Sequence, residues 1–466
     1  MKIKFGTSGW RGVIAKEFTW EKVNRVADAI AVLLQREGHS SIVIGGDCRF
    51  LSPELAESTA LRMSEYGFHA ILADRPTPTP VLSHACRLGG HGGVINFTAS
   101  HNPPLYNGIK FSPSHGGPAG DETTNVIEEL IEKEIRPSEG AGSVSTDDLL
   151  RAYTGTILDY LDEDIFRQGG LRVVYDAFSG AGSGLLDRIL VDLGAAVRVI
   201  NGKRDPLFAG RQHPEPGIAG TVDLASQVIK SGASLGIATD GDADRFGLID
   251  ENGCFVSPHD YLPLLLEYLI KKKGMKGLVL RSVTTGSLID RVAHAHSLEI
   301  EITPVGFKYL GGRMLETDVI LAGEESGGLS VKGHIPEKDG VLACLLAAEM
   351  VCARGKGLAA QLEELWLKYG RVHVSRIDLK LDDRLREFLI EHFFESIPSE
   401  IAGSSVKSVD HTDGVRFLLE NDSWVLIRLS GTEPLARIYA QADTPVERDR
   451  LLNAVIEETD AQGYAQ

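Results

Sequence analysis

Short aliphatic and β-branched runs recur along this chain, and segments with helical spacing follow several of them. Ser41-Ile-Val-Ile-Gly45, Gly93-Val-Ile-Asn-Phe97 and Leu171-Arg-Val-Val-Tyr175 read as strands, as do residues 235–238, 277–280 and 319–322. Residues 53–66 and 184–193 read as helices, and Asp339 as the cap of an apolar helix over 340–353. This alternation predicts α/β layers built from βαβ units. The chain has 466 residues, more than one hydrophobic core usually serves, so three or four domains are expected.

Three breaks in composition suggest where the domains divide. Ser138-Glu-Gly-Ala-Gly-Ser-Val-Ser145 is small and polar and reads as a linker. The turn Asp250-Glu-Asn-Gly253 closes a second unit. After Lys368-Tyr-Gly370 the pattern becomes the alternating Val372-His-Val-Ser-Arg-Ile-Asp-Leu379, and the tail reads α+β. Three α/β units and a smaller C-terminal one result. No short-period repeat is visible, although units of such similar length can share a topology.

Several function classes are disfavoured. A net charge of −17 argues against nucleic acid or an anionic membrane as partner, while a local cluster of cations can still bind a small phosphorylated ligand. The opening residues show no apolar signal region, and the most apolar stretch, 261–270, is too short for a bilayer and carries Glu267. Cysteines 48, 86, 254, 344 and 352 form no CxxC pair, which fits buried thiols in a reducing cytoplasm.

Four segments carry candidate chemistry. In Thr98-Ala-Ser-His-Asn-Pro103, Ser100 stands beside His101, and Lys110 follows; a serine needs such neighbours to manage its proton, although the segment reads equally as a turn with Ser100 as a cap. In Asp240-Gly-Asp-Ala-Asp-Arg245 the alternate carboxylates can face one way, and three hard oxygen donors suit Mg²⁺ or Ca²⁺; a solvated acidic loop is the alternative, though it does not explain an apolar strand on either side. An EF-hand fails, because Arg245 stands where that loop needs glycine and Phe246-Gly-Leu-Ile249 reads as a strand. Arg245 can hold a phosphate that shares the ion. Gly323-Glu-Glu-Ser-Gly-Gly328 follows a strand and offers groups for sugar hydroxyls; alone it reads better as a solvated turn. Arg428-Leu-Ser-Gly-Thr-Glu-Pro434 can form a phosphate cradle from Arg428, Ser430, Gly431 and Thr432, or an ordinary strand-end turn.

In this order the four segments resemble the phosphoserine, metal, sugar-binding and phosphate-binding loops of the α-D-phosphohexomutase superfamily, which includes phosphoglucomutase and phosphomannomutase. Phe5-Gly-Thr-Ser-Gly-Trp-Arg-Gly12 is similar to the family opening. The resemblance implies four domains around a central cleft, here at residues 1–143, 144–252, 253–369 and 370–466. It implies that Ser100 carries a phosphoryl group and that Asp240, Asp242 and Asp244 bind Mg²⁺ together with an oxygen on Ser100. Arg11 and Arg245 would neutralise charge, Lys110 would act as general base, and His101 would be the second acid/base candidate. That role for Lys110 requires a depressed pKa, with Arg11 or the metal as the cations that would lower it. Glu324 and Ser326 would contact the sugar, Lys308 the substrate, and Arg428, Ser430, Gly431, Thr432 and Arg437 the distal phosphate. The implied reaction interconverts hexose 1- and 6-phosphates through a hexose 1,6-bisphosphate, in a cytoplasmic monomer or homodimer. GEES resembles glucose-type enzymes, whereas Gly327-Gly328 leaves mannose open. A sugar-phosphate sensor and a metal-dependent phosphatase are the rival readings.

Overall fold

The computed structural model describes residues 3–6, 9–133, 135, 140–430 and 434–461, with residues 460 and 461 described by their backbone alone. These residues form four sheets. The first holds β1 (Trp10–Val13), β2 (Ser41–Gly46), β3 (His69–Ala73), β4 (Gly93–Phe97), β5 (Tyr106–Pro113) and β6 (Ser143–Asp147), in the order β1-β5-β4-β2-β3-β6. The second holds β7 (Arg172–Asp176), β8 (Ala196–Ile200), β9 (Leu235–Thr239), β10 (Phe246–Ile249) and β11 (Phe255–Val256), ordered β11-β10-β9-β7-β8. The third holds β12 (Leu278–Ser282), β13 (Ile300–Thr303), β14 (Val319–Gly323) and β15 (Leu329–Val331), ordered β13-β12-β14-β15. In the fourth, β16 (His373–Lys380), β17 (Glu400–Ile401), β18 (Ser404–Asp410), β19 (Val415–Leu419), β20 (Trp424–Leu429) and β21 (Leu435–Ala442) run antiparallel throughout, ordered β16-β21-β20-β19-β18-β17.

The first three sheets repeat one motif. In each, a central strand pairs in parallel with the next strand and with the one after that, and this third strand turns back into an antiparallel fourth. The third strands β4, β9 and β14 are buried at every residue, as expected of strands covered on both faces. The turn from third to fourth strand therefore lies at a carboxyl end, where α/β sheets place their ligands. Those three turns hold Ser100, the three aspartates, and Glu324 with Ser326. In the fourth sheet the β20–β21 turn carries Ser430.

The strands and helices read from the sequence occur within two residues at each end, and Phe246–Ile249 is the strand that excludes an EF-hand. Of the expected linker at 138–145, residues 138 and 139 lie outside the described residues, and the reading does not hold past 142. Residues 143–147 form β6, paired in parallel with β3. Four of its five side chains are exposed, so this edge strand has no apolar run to announce it. The first sheet therefore reaches Asp147, past the boundary at 143/144. The second reaches Val256, past 252/253, because the turn at 250–253 closes the β10–β11 hairpin.

One hydrophobic cluster runs from Val43 to Val372 and joins the first three units. The helix Gly340–Arg354 lies inside it, buried along its length from Gly340 to Val351, with Asp339 Oδ1 accepting the Leu342 N–H at 2.9 Å. The fourth sheet has its own core and meets the third through Val283, Trp424, Leu426 and Tyr439. Among the described residues, no helix is long and apolar enough to cross a membrane.

A pH effect follows from the third unit. His259 Nδ1 accepts the Gly286 N–H at 3.0 Å, and burial, with Arg281 nearby, pushes its pKa down to about 4. An unfolded histidine titrates near 6.5, so this contribution is present above that pH and is lost as pH falls toward 4. The expected loss is about 2–3 kcal/mol. Unfolding free energies from urea titrations at pH 7 and 4.5 should differ by that much more in the parent than in His259→Asn, whose side chain carries no proton in this range.

Candidate active site

Ser100 is buried with φ at +48°, a left-handed conformation that a serine holds only when its surroundings enforce it. Thr98 Oγ1 accepts the Ser100 N–H at 2.8 Å, and the Asn102 N–H donates to Ala99 O at 3.0 Å, which closes a turn ahead of Pro103 and Pro104. Ser100 Oγ then donates to Asp240 Oδ2 at 2.9 Å and lies 3.4 Å from His101 Nδ1.

Asp240, Asp242 and Asp244 are buried, and each offers a carboxylate oxygen within 4.8 Å of the others. The extended-then-turned backbone directs all three to one side. Gly241 allows the loop to approach the serine, since a Cβ there would meet Ser100 O at 2.9 Å. Thr79 Oγ1 donates to Asp242 Oδ2 at 2.6 Å. Lys110 Nζ donates to Asp242 Oδ2 at 3.1 Å and Asp244 Oδ2 at 2.6 Å, and Lys338 Nζ lies 3.2 Å from Asp244 Oδ2.

The triad fits a hard divalent cation. Asp242 Oδ1 and Asp244 Oδ1 are buried without a hydrogen-bond partner among the described residues, a costly arrangement that a coordinated ion would relieve. Oxygen donors alone select Mg²⁺ or Ca²⁺ over softer metals. Saturating Mg²⁺ should therefore raise the melting temperature, by about 2.7 kcal/mol of stabilisation at a hundredfold excess over Kd. Asp242→Asn should remove most of that shift, as differential scanning calorimetry with and without a chelator would read.

Among the protein's own side chains, the shift of one group runs against expectation. Burial works to lower the Lys110 pKa, but Asp242, Asp244 and Glu337 outweigh it, and the net shift is upward. The groups nearest the ammonium are carboxylates, not the cations that a depressed value requires. For Asp244, burial works upward and is overcome by Lys110 and Lys338, so its carboxyl is held well below the usual range. Burial and the two neighbouring carboxylates push Asp240 up instead. Burial holds the His101 imidazole well below its usual value, helped by Arg245 and Arg11.

The remaining predicted residues lie in several settings. Arg11 donates to Asn102 Oδ1 on the serine loop. The Arg245 N–H donates to Asp240 Oδ1 at 3.0 Å, while its guanidinium pairs with Glu215 at 2.7 Å. Glu324 is buried and accepts the Gly306 N–H at 2.8 Å; Ser326 is half-buried two residues on. Gly327, at φ +83°, lets this loop touch the aspartate loop, where the Phe246 N–H donates to Gly327 O at 3.0 Å. Lys308 pairs with Asp121 of the first unit at 2.5 Å. On the fourth sheet, Arg428 pairs with Asp413 at 2.8 Å, and Asp413 also accepts the Val305 N–H from the third unit. Arg437 stands opposite Arg428 in the β20–β21 register, and the Ser430 N–H donates to Leu435 O at 2.9 Å. Gly431 and Thr432 lie outside the described residues.

Ser100, His101, Lys110 and the three aspartates thus form one contact network. Arg428, Ser430 and Arg437 lie near the β20–β21 turn of the fourth sheet, which meets the sugar loop where Tyr439 OH donates to Glu325 at 3.2 Å. Sequence reading missed Asp47, Arg49, Thr79, Glu215, Glu337 and Lys338. Four of these, in two short segments, had a signal. Asp47-Cys-Arg49 directly follows the apolar β2, and Glu337-Lys-Asp339 directly precedes a helix with no polar face.

Four family models describing domains I, II, III and the C-terminal domain of phosphoglucomutase/phosphomannomutase match residues 2–137, 151–253, 257–369 and 391–458. The chain is 31% identical to a phosphoglucomutase/phosphomannomutase of Thermococcus kodakarensis, over 94% of each chain. It is 30% identical to a phosphoglucosamine/phosphogalactosamine mutase of Sulfurisphaera tokodaii, over 96% of this chain and 97% of that one. Among solved structures, a candidate phosphomannomutase of Thermus thermophilus superposes with a TM-score of 0.87 at 35% identity, over 99% of both chains. The chain belongs to the phosphoglucomutase/phosphomannomutase family of the α-D-phosphohexomutase superfamily. It is accordingly a phosphohexomutase, an isomerase that acts by intramolecular phosphoryl transfer.

Proposed function

We propose that the chain interconverts glucose 1-phosphate and glucose 6-phosphate, with Ser100 carrying the phosphoryl group between the two ends of the sugar. The observation that supports this most is the Ser100 hydroxyl, 2.9 Å from Asp240 within a buried group of three carboxylates that two lysines approach. Transfer of a phosphoryl group requires its charge to be neutralised and its oxygens to be held in line. Asp240, Asp242, Asp244 and an oxygen on Ser100 would hold Mg²⁺, which when bound supplies charge neutralisation. Lys110, Lys338, Arg11 and Arg245 supply the remaining positive charge.

The contacts divide the roles. His101 stands beside the hydroxyl and can exchange a proton with it, while Lys110 is engaged with two carboxylates. Phosphoserine donates to the free hydroxyl of the sugar monophosphate, the bisphosphate turns over, and Ser100 takes back the other phosphate. Glu324 and Ser326 would contact hydroxyls near the middle of the ring, Lys308 the substrate, and Arg428, Ser430, Gly431, Thr432 and Arg437 the phosphate left in place.

Glucose is favoured by Glu324-Glu325-Ser326, while Gly327-Gly328 supports mannose phosphates as a second reading. The test is incubation with glucose, mannose or glucosamine 1-phosphate, Mg²⁺ and a trace of the matching bisphosphate. Fastest formation of glucose 6-phosphate supports the proposal. Faster turnover of either other sugar reassigns the substrate, release of free phosphate makes the chain a phosphatase, and no turnover a sensor.

A further inference from the structure

The reaction as drawn makes no use of Arg49, although it is among the largest fully buried side chains. It lies on the loop that follows β2, and its guanidinium faces the Ser100 loop. Nη1 donates to Pro103 O and Tyr106 O at 2.9 Å each, and Nη2 to Ser100 O and Asn102 O at 2.6 Å each. Nε lies 3.2 Å from Asp47 Oδ2. Four carbonyls of one loop thus converge on one planar fork, a pattern that a point charge such as an ammonium cannot reproduce.

Two further groups complete the arrangement. Asp47 Oδ2 accepts from Thr98 Oγ1 at 2.7 Å, and Thr98 Oγ1 accepts the Ser100 N–H at 2.8 Å, so the carboxylate paired with Arg49 holds the loop from its other end. The ring of Phe208, from the second unit, lies 4.8 Å from the guanidinium carbon and against Gly241 of the aspartate loop. Phe208 is fully buried at φ +51°, followed by Ala209 at +54°, a second left-handed stretch beside the first.

We infer that Arg49 is a positioning residue: its four carbonyl contacts hold Ser100 left-handed and aim its oxygen at the aspartates, with Phe208 closing the guanidinium against the second unit. The inference rests on Ser100 being the phosphate carrier. Displacement of a reacting group by about 1 Å costs on the order of a hundredfold in rate. Arg49→Lys, which keeps the charge and loses the fork, should therefore lower kcat about a hundredfold while KM changes less than about twofold. Arg49→Ala should be slower still and should regain at least tenfold in kcat with millimolar methylguanidinium, again without movement in KM.

Steady-state kinetics and intact mass would be run on both variants beside Ser100→Ala. If Ser100→Ala keeps full activity, the site reading itself fails. If Ser100→Ala is inactive while Arg49→Lys keeps kcat within threefold of the parent, only the role of Arg49 fails. It fails also if activity falls solely in proportion to folded protein and methylguanidinium restores nothing. Should Arg49→Ala not fold, the kcat and KM of Arg49→Lys decide alone.

Discussion

Ser100→Ala should lose mutase activity by on the order of 10⁴-fold or more while its melting temperature moves by only a few degrees. The two readouts separate because the hydroxyl has little structural work. It makes one side-chain hydrogen bond to Asp240 at 2.9 Å and lies at the edge of reach of His101. Loss of such a bond costs about 1 kcal/mol, and the loop conformation is held by backbone contacts from Thr98 and Arg49 that the substitution leaves intact. Activity depends on that oxygen entirely, since phosphate monoesters exchange extremely slowly without a carrier. Steady-state rates and a thermal melt on the same preparation would check both halves.

Asp244→Ala should produce the largest stability change, a loss of about 3 kcal/mol in urea unfolding at pH 7 without added metal. Its carboxylate is held between two buried ammonium groups, Lys110 at 2.6 Å and Lys338 at 3.2 Å. Removal of one partner of a buried pair leaves uncompensated charge, which costs about 3–5 kcal/mol. The lower end applies here because Lys110 keeps Asp242 and Lys338 keeps Glu337, each at 3.1 Å. The exposed pair Lys356–Glu364 is the control: its removal should cost less than about 1 kcal/mol, because water and salt screen both charges. An Asp244→Ala variant as stable as the parent would mean that the lysines do not depend on that carboxylate.

Parts of this site were legible in the sequence because they are local. The strands announced themselves as apolar runs, and Ser100, the aspartates and Glu324 each sit in a short segment just past one. The repeated placement, each at the turn from third to fourth strand, was not legible, since register and strand order depend on pairing between distant segments. Lys110 shows the limit most clearly. Its partners lie 132 and 134 residues away, and those carboxylates reverse the direction of its expected pKa shift. Arg49 escaped notice because its contacts, 51 to 57 residues distant, are backbone carbonyls, which any sequence supplies. Strand β6 escaped because an exposed edge strand needs only backbone partners.

A phosphate-exchange experiment tests most directly whether Ser100 stores and returns a phosphoryl group. The protein would be loaded from glucose 1,6-bisphosphate carrying ³²P, freed of small molecules, and mixed with excess unlabelled glucose 1-phosphate in Mg²⁺ while the label on the Ser100 peptide and on the sugar is followed. The account predicts ³²P on Ser100 after loading, and its passage through the bisphosphate to the 6-position of glucose 6-phosphate while Ser100 becomes phosphorylated again from the unlabelled substrate. A mutase-active protein whose Ser100 peptide never carries phosphate, or a phosphoenzyme that releases its group only to water, would contradict it.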